Sequence, residues 1–97
     1  MENKNCKKFH SSLKSIIELI NTELFVLPFD VNNIEVLTDK FEKILGDAIK
    51  NKCVNNEVIK ILRKLITKLR EIISKNKINN SKEVENLILE SISILNL

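Results

Sequence analysis

Tryptophan and tyrosine are missing from this 97-residue chain, and glycine and proline occur once each, as Gly46 and Pro28. A sheet protein needs many turns, and glycine and proline build most of them, so one of each points away from strands. With a single glycine, no loop can wrap backbone N–H groups around a phosphate, and neither a GxSxG elbow nor an HExxH pair is present. The only histidine, His10, has Cys6 at i−4 and no carboxylate at a supporting helical spacing, which is half of a metal site at best. The plainer reading of His10 is a surface or partly buried side chain. No catalytic residue, metal or other cofactor is expected.

Cysteine is also scarce: Cys6 and Cys53 lack CxxC spacing, which argues against zinc and against a disulfide scaffold. No apolar run approaches the length of a membrane span, and the polar start MENKNCKK has no apolar centre of the signal-peptide kind. The expected compartment is therefore the cytoplasm, where both thiols would stay reduced. There the sequon Asn79-Asn80-Ser81 would stay unmodified.

What the chain does have is leucine, isoleucine and valine at helical spacing. From Glu57 to Lys75, Val58, Leu62, Leu65, Leu69 and Ile72 recur at alternating steps of four and three, widened by Ile59, Ile66 and Ile73. That stretch predicts a helix of ~28 Å buried along one side. A first helix is expected from Asn5 to Phe25, with Cys6, Phe9, Leu13, Ile16, Ile17, Ile20 and Leu24 on its apolar side. Pro28 ends it, and Leu27 and Phe29 are expected to close that end of the core.

The second helix is expected to start at Asn32 or Asn33, with Glu35 closing a capping box onto Asn32, and to bury Ile34, Leu37, Phe41, Ile44, Leu45 and Ala48. Gly46 falls off that stripe, as a tolerated surface residue. Asn55 or Asn56 caps the third helix. A fourth starts at Asn80 or Ser81 and turns Val84, Leu87, Ile88, Ile92 and Leu95 inward. Short connections force neighbouring helices to reverse direction, so the predicted architecture is all-α, one domain over residues 1–97, an antiparallel up-down four-helix bundle. Such a bundle brings Cys6 and Cys53 to the same end, where a disulfide is geometrically conceivable, although it is not what a cytosolic chain leads one to expect.

The formal net charge of +3 is unevenly spread. Residues 1–54 are neutral in sum, and the excess lies in residues 55–79, where Lys60, Arg63, Lys64, Lys68, Arg70, Lys75 and Lys77 face only Glu57 and Glu71. Arg63, Arg70 and Lys77 stand one heptad apart, as a basic column opposite the apolar seam. A column of this kind is either an ordinary solvated face or a docking surface for an acidic partner. Nucleic acid is poorly supported as that partner, because no aromatic residues interleave with the basic ones and the overall charge is low.

The segment from Ile61 to Ile94 resembles the cytosolic immunity proteins that protect lactic acid bacteria from their own pediocin-like (class IIa) bacteriocins, those of the enterocin A and leucocin type. The likeness is clearest in NKINNSKEVENLILE, where Asn76-Lys77-Ile78, Ser81-Lys82, Glu85 and Leu87-Ile88 fall at the family's spacing. ILRKLITKL occupies the place of that family's third helix, and the first helix is similar only in its amphipathic pattern. In such a fold Ile78 would plug the bundle end, Ser81 would cap the last helix and Leu87-Ile88 would pack inside. Two departures stand out: Asn55-Asn56 replaces the proline that often precedes the third helix, and the chain ends at Leu97, where the family usually continues into a tail that selects the bacteriocin.

The resemblance implies a non-enzymatic binder that recognises a membrane sugar permease of the mannose phosphotransferase type once bacteriocin has locked onto it. It would act in the cytoplasm, at the inner face of the membrane. The candidate partner-binding residues are Lys60, Arg63, Lys64, Arg70 and Lys77, joined by Ile94 and Leu97 at the end of the last helix. Two rival readings are a small regulator using the basic face of the third helix on nucleic acid or another protein, and a weak homodimer burying Leu89, Ile94 and Leu97 against a second copy.

Overall fold

The computed structural model describes residues 4–26 and 29–96, the side chains of Lys4 and Asn5 excepted. Pro28, the expected helix stop, Leu27, expected against the core, and the candidate Leu97 lie outside those residues. Four helices form: α1 Lys4–Leu24, α2 Val31–Lys50, α3 Asn56–Lys75 and α4 Ser81–Leu95. They pack as a ring in which α1 and α3 each lie against both α2 and α4, within an envelope of 43 × 22 × 18 Å. Successive helices run antiparallel. Arg70, late in α3, reaches Asp39 and Glu42 in the first two-thirds of α2, and Lys68 of α3 reaches Glu83 at the start of α4.

The buried positions share one rhythm. Val58, Leu62, Leu65, Leu69 and Ile72 line α3; Ile34, Thr38, Phe41, Leu45 and Ala48 line α2; Val84, Ile88, Ser91 and Leu95 line α4. Steps of four and three repeat in all three, the spacing that keeps a seam facing its neighbours in a bundle. On α1 the same steps connect Cys6, His10, Leu13, Ile17, Ile20 and Leu24, so the lone histidine occupies a seam position. Leu13, Ile17, Ile20, Leu62, Leu65 and Leu69 are wholly buried, each stabilising the fold by ~1.5–3 kcal/mol relative to exposure.

Two seam positions are hydroxyls that hydropathy does not mark. Thr38 donates to the Ile34 carbonyl and Ser91 to the Leu87 carbonyl, both at 2.7 Å. Each polar atom is satisfied within its own helix, so burial leaves nothing unpaired. Leu37, Ile44, Leu87 and Ile92 flank the seam as half-buried side chains packed against the core, together with Phe29 and Ile78.

The helix starts correct some of the expected caps. The N-cap of α2 is Asp30, whose Oδ1 accepts from the Asn32 N–H at 2.9 Å, so the helix starts before Asn32 and no capping box from Glu35 is needed. Asn55 caps α3 by accepting from Val58 N–H at 2.9 Å. Asn80, and not Ser81, caps α4 by accepting from Glu83 N–H at 3.1 Å; Ser81 is the first helical residue. α3 stops at Lys75 because Asn76 turns left-handed, with φ 54°, a conformation asparagine tolerates better than most residues. Lys77 is thus past the helix end and does not continue the column of Arg63 and Arg70.

The largest departure is at the cysteines. Topology does bring them to one end of the bundle, but they are joined there as a disulfide across a Cα–Cα distance of 5.0 Å, not left as separate thiols. Proximity at one end of the bundle thus outweighs the expectation of reduced thiols that rested on compartment. The Cys53 N–H donates to the Ala48 carbonyl at 2.8 Å, folding the connection back under α2, and the α1 seam delivers Cys6 to the same spot.

Candidate functional site

The basic side chains of α3 divide by the neighbour each meets. Arg70 turns toward α2, where its Nη2 lies 2.7 Å from Asp39 Oδ1 and 2.6 Å from Glu42 Oε1, and its Nε donates to Glu42 at 2.8 Å. Asp39 first, and then Glu42, raise the already high pKa of the guanidinium by accepting from it, so Arg70 stays charged at every working pH. It is an interhelical strap and not a free docking cation. Lys68 joins α3 to α4 through Glu83 at 3.2 Å and also meets Glu71 at 3.9 Å, while Lys75 lies 3.5 Å from Glu71.

Lys60, Arg63 and Lys64 remain. They are exposed, and none forms an ion pair among the described residues. They stand on the α3 wall of a groove of about 1010 Å³ between α3 and α4. The facing wall carries Lys82, Glu83, Asn86 and Glu90 from α4, negative on balance, and Glu71 stands beside Lys68 on the α3 wall. Ile59 and Leu87 lie between the walls as half-buried apolar floor. One end is bridged by Lys68 and Glu83. The groove thus has a basic lip and an acidic lip above a narrow apolar strip, an arrangement suited to holding an amphipathic segment. The basic lip stands out along the sequence, whereas the facing one is marked there only by Glu83, Asn86 and Glu90 at i, i+3 and i+7 on one face of α4.

Of the remaining candidates, Lys77 is exposed in the α3–α4 connection and does not line this groove. Ile94 is not the exposed apolar end expected of α4: it is half-buried and packed against the core. Leu89, grouped with it in the dimer reading, is 59% exposed. A second, smaller cleft of about 290 Å³ lies between α2 and α3, lined by Glu42, Gly46, Arg63 and Ile66 among others. A Cβ built on Gly46 would meet nothing within 4 Å, so close packing does not require glycine there.

His10 sits half-buried beside the disulfide, its Nε2 2.7 Å from the Cys53 carbonyl oxygen. That geometry makes the ring a donor to backbone, and Cys6, one turn away, is consumed by the bridge. Among the described residues no group of three His, Cys, Asp or Glu side chains could hold a metal ion, and no helix is long and apolar enough to cross a membrane.

Comparison with protein-family models, with curated proteins and with solved structures finds no match to this chain.

Proposed function

We propose that this protein is a bacteriocin immunity protein, a binder that protects its cell by engaging the sugar permease of the mannose phosphotransferase type on which a pediocin-like bacteriocin has settled. The observation that carries the proposal is the α3–α4 hairpin. It contains the residues that resemble those immunity proteins, from Ile61 to Ile94, and the same hairpin opens the groove with its two oppositely charged lips. Lys60, Arg63 and Lys64 offer three cations whose attraction is not spent on internal carboxylates. An acidic edge of the partner would meet them, while its apolar side would lie on Ile59 and Leu87. Recognition of this kind needs no chemistry at the site, only shape and charge.

The test is expression of the full chain in a bacteriocin-sensitive strain, followed by challenge. Protection is expected from the parent chain. Arg63→Glu with Lys64→Glu should abolish it, because a reversed charge in a docked face turns attraction into repulsion of several kcal/mol. Far-ultraviolet circular dichroism of that variant should match the parent. Unchanged protection by the variant would remove the groove from the mechanism, and no protection by the parent against a panel of pediocin-like bacteriocins would remove the immunity reading itself.

A further inference from the structure

We infer that the disulfide-bearing end of the bundle is a docking face for an anionic phospholipid surface. Charge along the chain hides this feature, because it is assembled from three segments. Lys7 and Lys8 come from the first turns of α1, Lys50 and Lys52 from the end of α2 and the connection after it, and Lys60 from the second turn of α3. All five are exposed, and Arg63 and Lys64 continue the positive field up the flank. The carboxylates on these same segments are Asp47 and Glu57; Glu2 precedes α1 in the sequence, and Glu90 stands on the late part of α4, which ends beside them. The five ion pairs among the described residues all lie elsewhere, and use Lys68, Arg70 and Lys75 with Asp39, Glu42, Glu71 and Glu83. Lys7, Lys8, Lys50, Lys52 and Lys60 enter none of these pairs, so among the described residues the five cations at this end meet no carboxylate partner.

The end is also held in shape. The Cys6–Cys53 bridge and the bond from His10 to the Cys53 carbonyl pin the start of α1 to the α2–α3 connection. Lys7, Lys8 and Lys52 therefore cannot drift apart while the fold persists. A blunt end, 22 × 18 Å in section, can bring all five cations within a Debye length of ~8–10 Å of a plane at once. Clusters of four to eight basic residues are what anionic lipid surfaces attract.

Among the described residues the exposed large apolar side chains are Leu19, Phe25, Val26, Val36 and Leu89; none belongs to the helix ends that form this face, Leu89 standing on the flank of α4. Attachment would accordingly be electrostatic, without insertion, and reversible by salt. Duplex nucleic acid fits less well: the face is made of helix ends, so no helix flank is offered to a groove, and no exposed aromatic ring stands there to stack on a base. The inference shares Lys60 with the α3–α4 groove but otherwise concerns a different face, and it stands without the immunity reading.

The test is co-sedimentation of the full chain with vesicles of phosphatidylglycerol and phosphatidylcholine in equal parts, against vesicles of phosphatidylcholine alone, at low salt and at 1 M salt. Binding is expected to the anionic vesicles only, and to be lost at 1 M. Lys8→Glu with Lys50→Glu, and separately Lys7→Glu with Lys60→Glu, should each weaken partitioning at least ~25-fold, at ~5-fold for every cation lost. Lys40→Glu with Lys77→Glu makes the same change in net charge away from this end and should retain most of the binding. Equal binding to neutral vesicles, equal loss in the control pair, or tighter binding to duplex DNA at matched phosphate concentration would each overturn the inference. Vesicle binding without protection against bacteriocin would leave this inference standing and remove the other, and the converse result would do the reverse.

Discussion

Removing the Cys6–Cys53 bridge should cost the protein a large part of its stability while leaving the fold in place. The two cysteines are separated by 47 positions, so the bond closes a loop containing most of α1 and all of α2. In the chain-entropy account a closed loop of that size removes about 4 kcal/mol of disorder from the unfolded state. A domain of this length has only ~5–15 kcal/mol in total. At ~4–8 °C per kcal/mol, the reduced chain should melt ~15–30 °C lower.

The assay is urea unfolding of the oxidised chain, of the same chain with a phosphine reductant, and of Cys6→Ala with Cys53→Ala. Alanine is chosen because Cys53 is buried and a hydroxyl there would need a partner. The mechanism makes a second, independent demand: the reduced unfolded chain is more expanded, so the slope of stability against urea should rise as the midpoint falls. A lower midpoint at constant slope would place the loss in native packing around Cys53 instead of in the unfolded chain. An unmoved midpoint, or two free thiols counted in the unreduced denatured protein, would refute the bridge.

Leu65→Ala removes a wholly buried side chain from the middle of the α3 seam and should destabilise by ~2–5 kcal/mol, read as a shift in urea midpoint; a change near zero would contradict the packing. Gly46→Ala should raise the melting temperature, by about 1 kcal/mol of helix propensity, since the added methyl meets no neighbour; a lower melting temperature would show a backbone constraint at that position. Arg70→Glu should destabilise by about 1–2 kcal/mol, because it breaks two half-exposed ion pairs and sets a third carboxylate beside Asp39 and Glu42. The loss should shrink in 1 M salt, whereas Arg63→Glu should stay within ~0.5 kcal/mol of the parent in either condition.

The parts of the fold legible in the sequence were those set by local periodicity. The α3 seam from Val58 to Ile72 is buried at every position its spacing marks, and the helix ends fall within one or two residues of the expected ones, the start of α2 at Val31 included, where the capping residue alone differs. Asp30 took the cap of α2 from Asn32 because both side chains can accept from a free N–H, and which one does is decided by how the preceding connection arrives. Thr38 and Ser91 were invisible as core residues because a hydroxyl counts as polar until its i−4 carbonyl is considered. The site was less legible than the fold. Arg63 and Arg70 look equivalent along α3, one heptad apart, yet carboxylates 28 and 31 residues away take only Arg70. No local pattern carries that information. The basic end is likewise a product of topology, in which Lys7, Lys8, Lys50 and Lys52, balanced within their own segments of sequence, join Lys60 of the basic stretch.

The four helices are not fastened equally, and this sets the order in which they should let go. α1 is tied covalently to the segment after α2, and α2 is strapped to α3 by Arg70. α4 has 15 residues where the others have 20 or 21, and its polar ties to other helices, among the described residues, are the Lys68–Glu83 pair and the hydrogen bond from Lys14 Nζ to Asn96 at 2.7 Å. Native-state hydrogen exchange should therefore find the amides of α4 opening as a separate unit, at lower free energy than the rest, with α1 to α3 following only in global unfolding. Since α4 is one wall of the groove, the opening that exposes its amides would also widen the space between Lys64 and Glu90. A ligand held between the two lips would slow exchange in α4 first, reporting its own arrival on amides it need not touch.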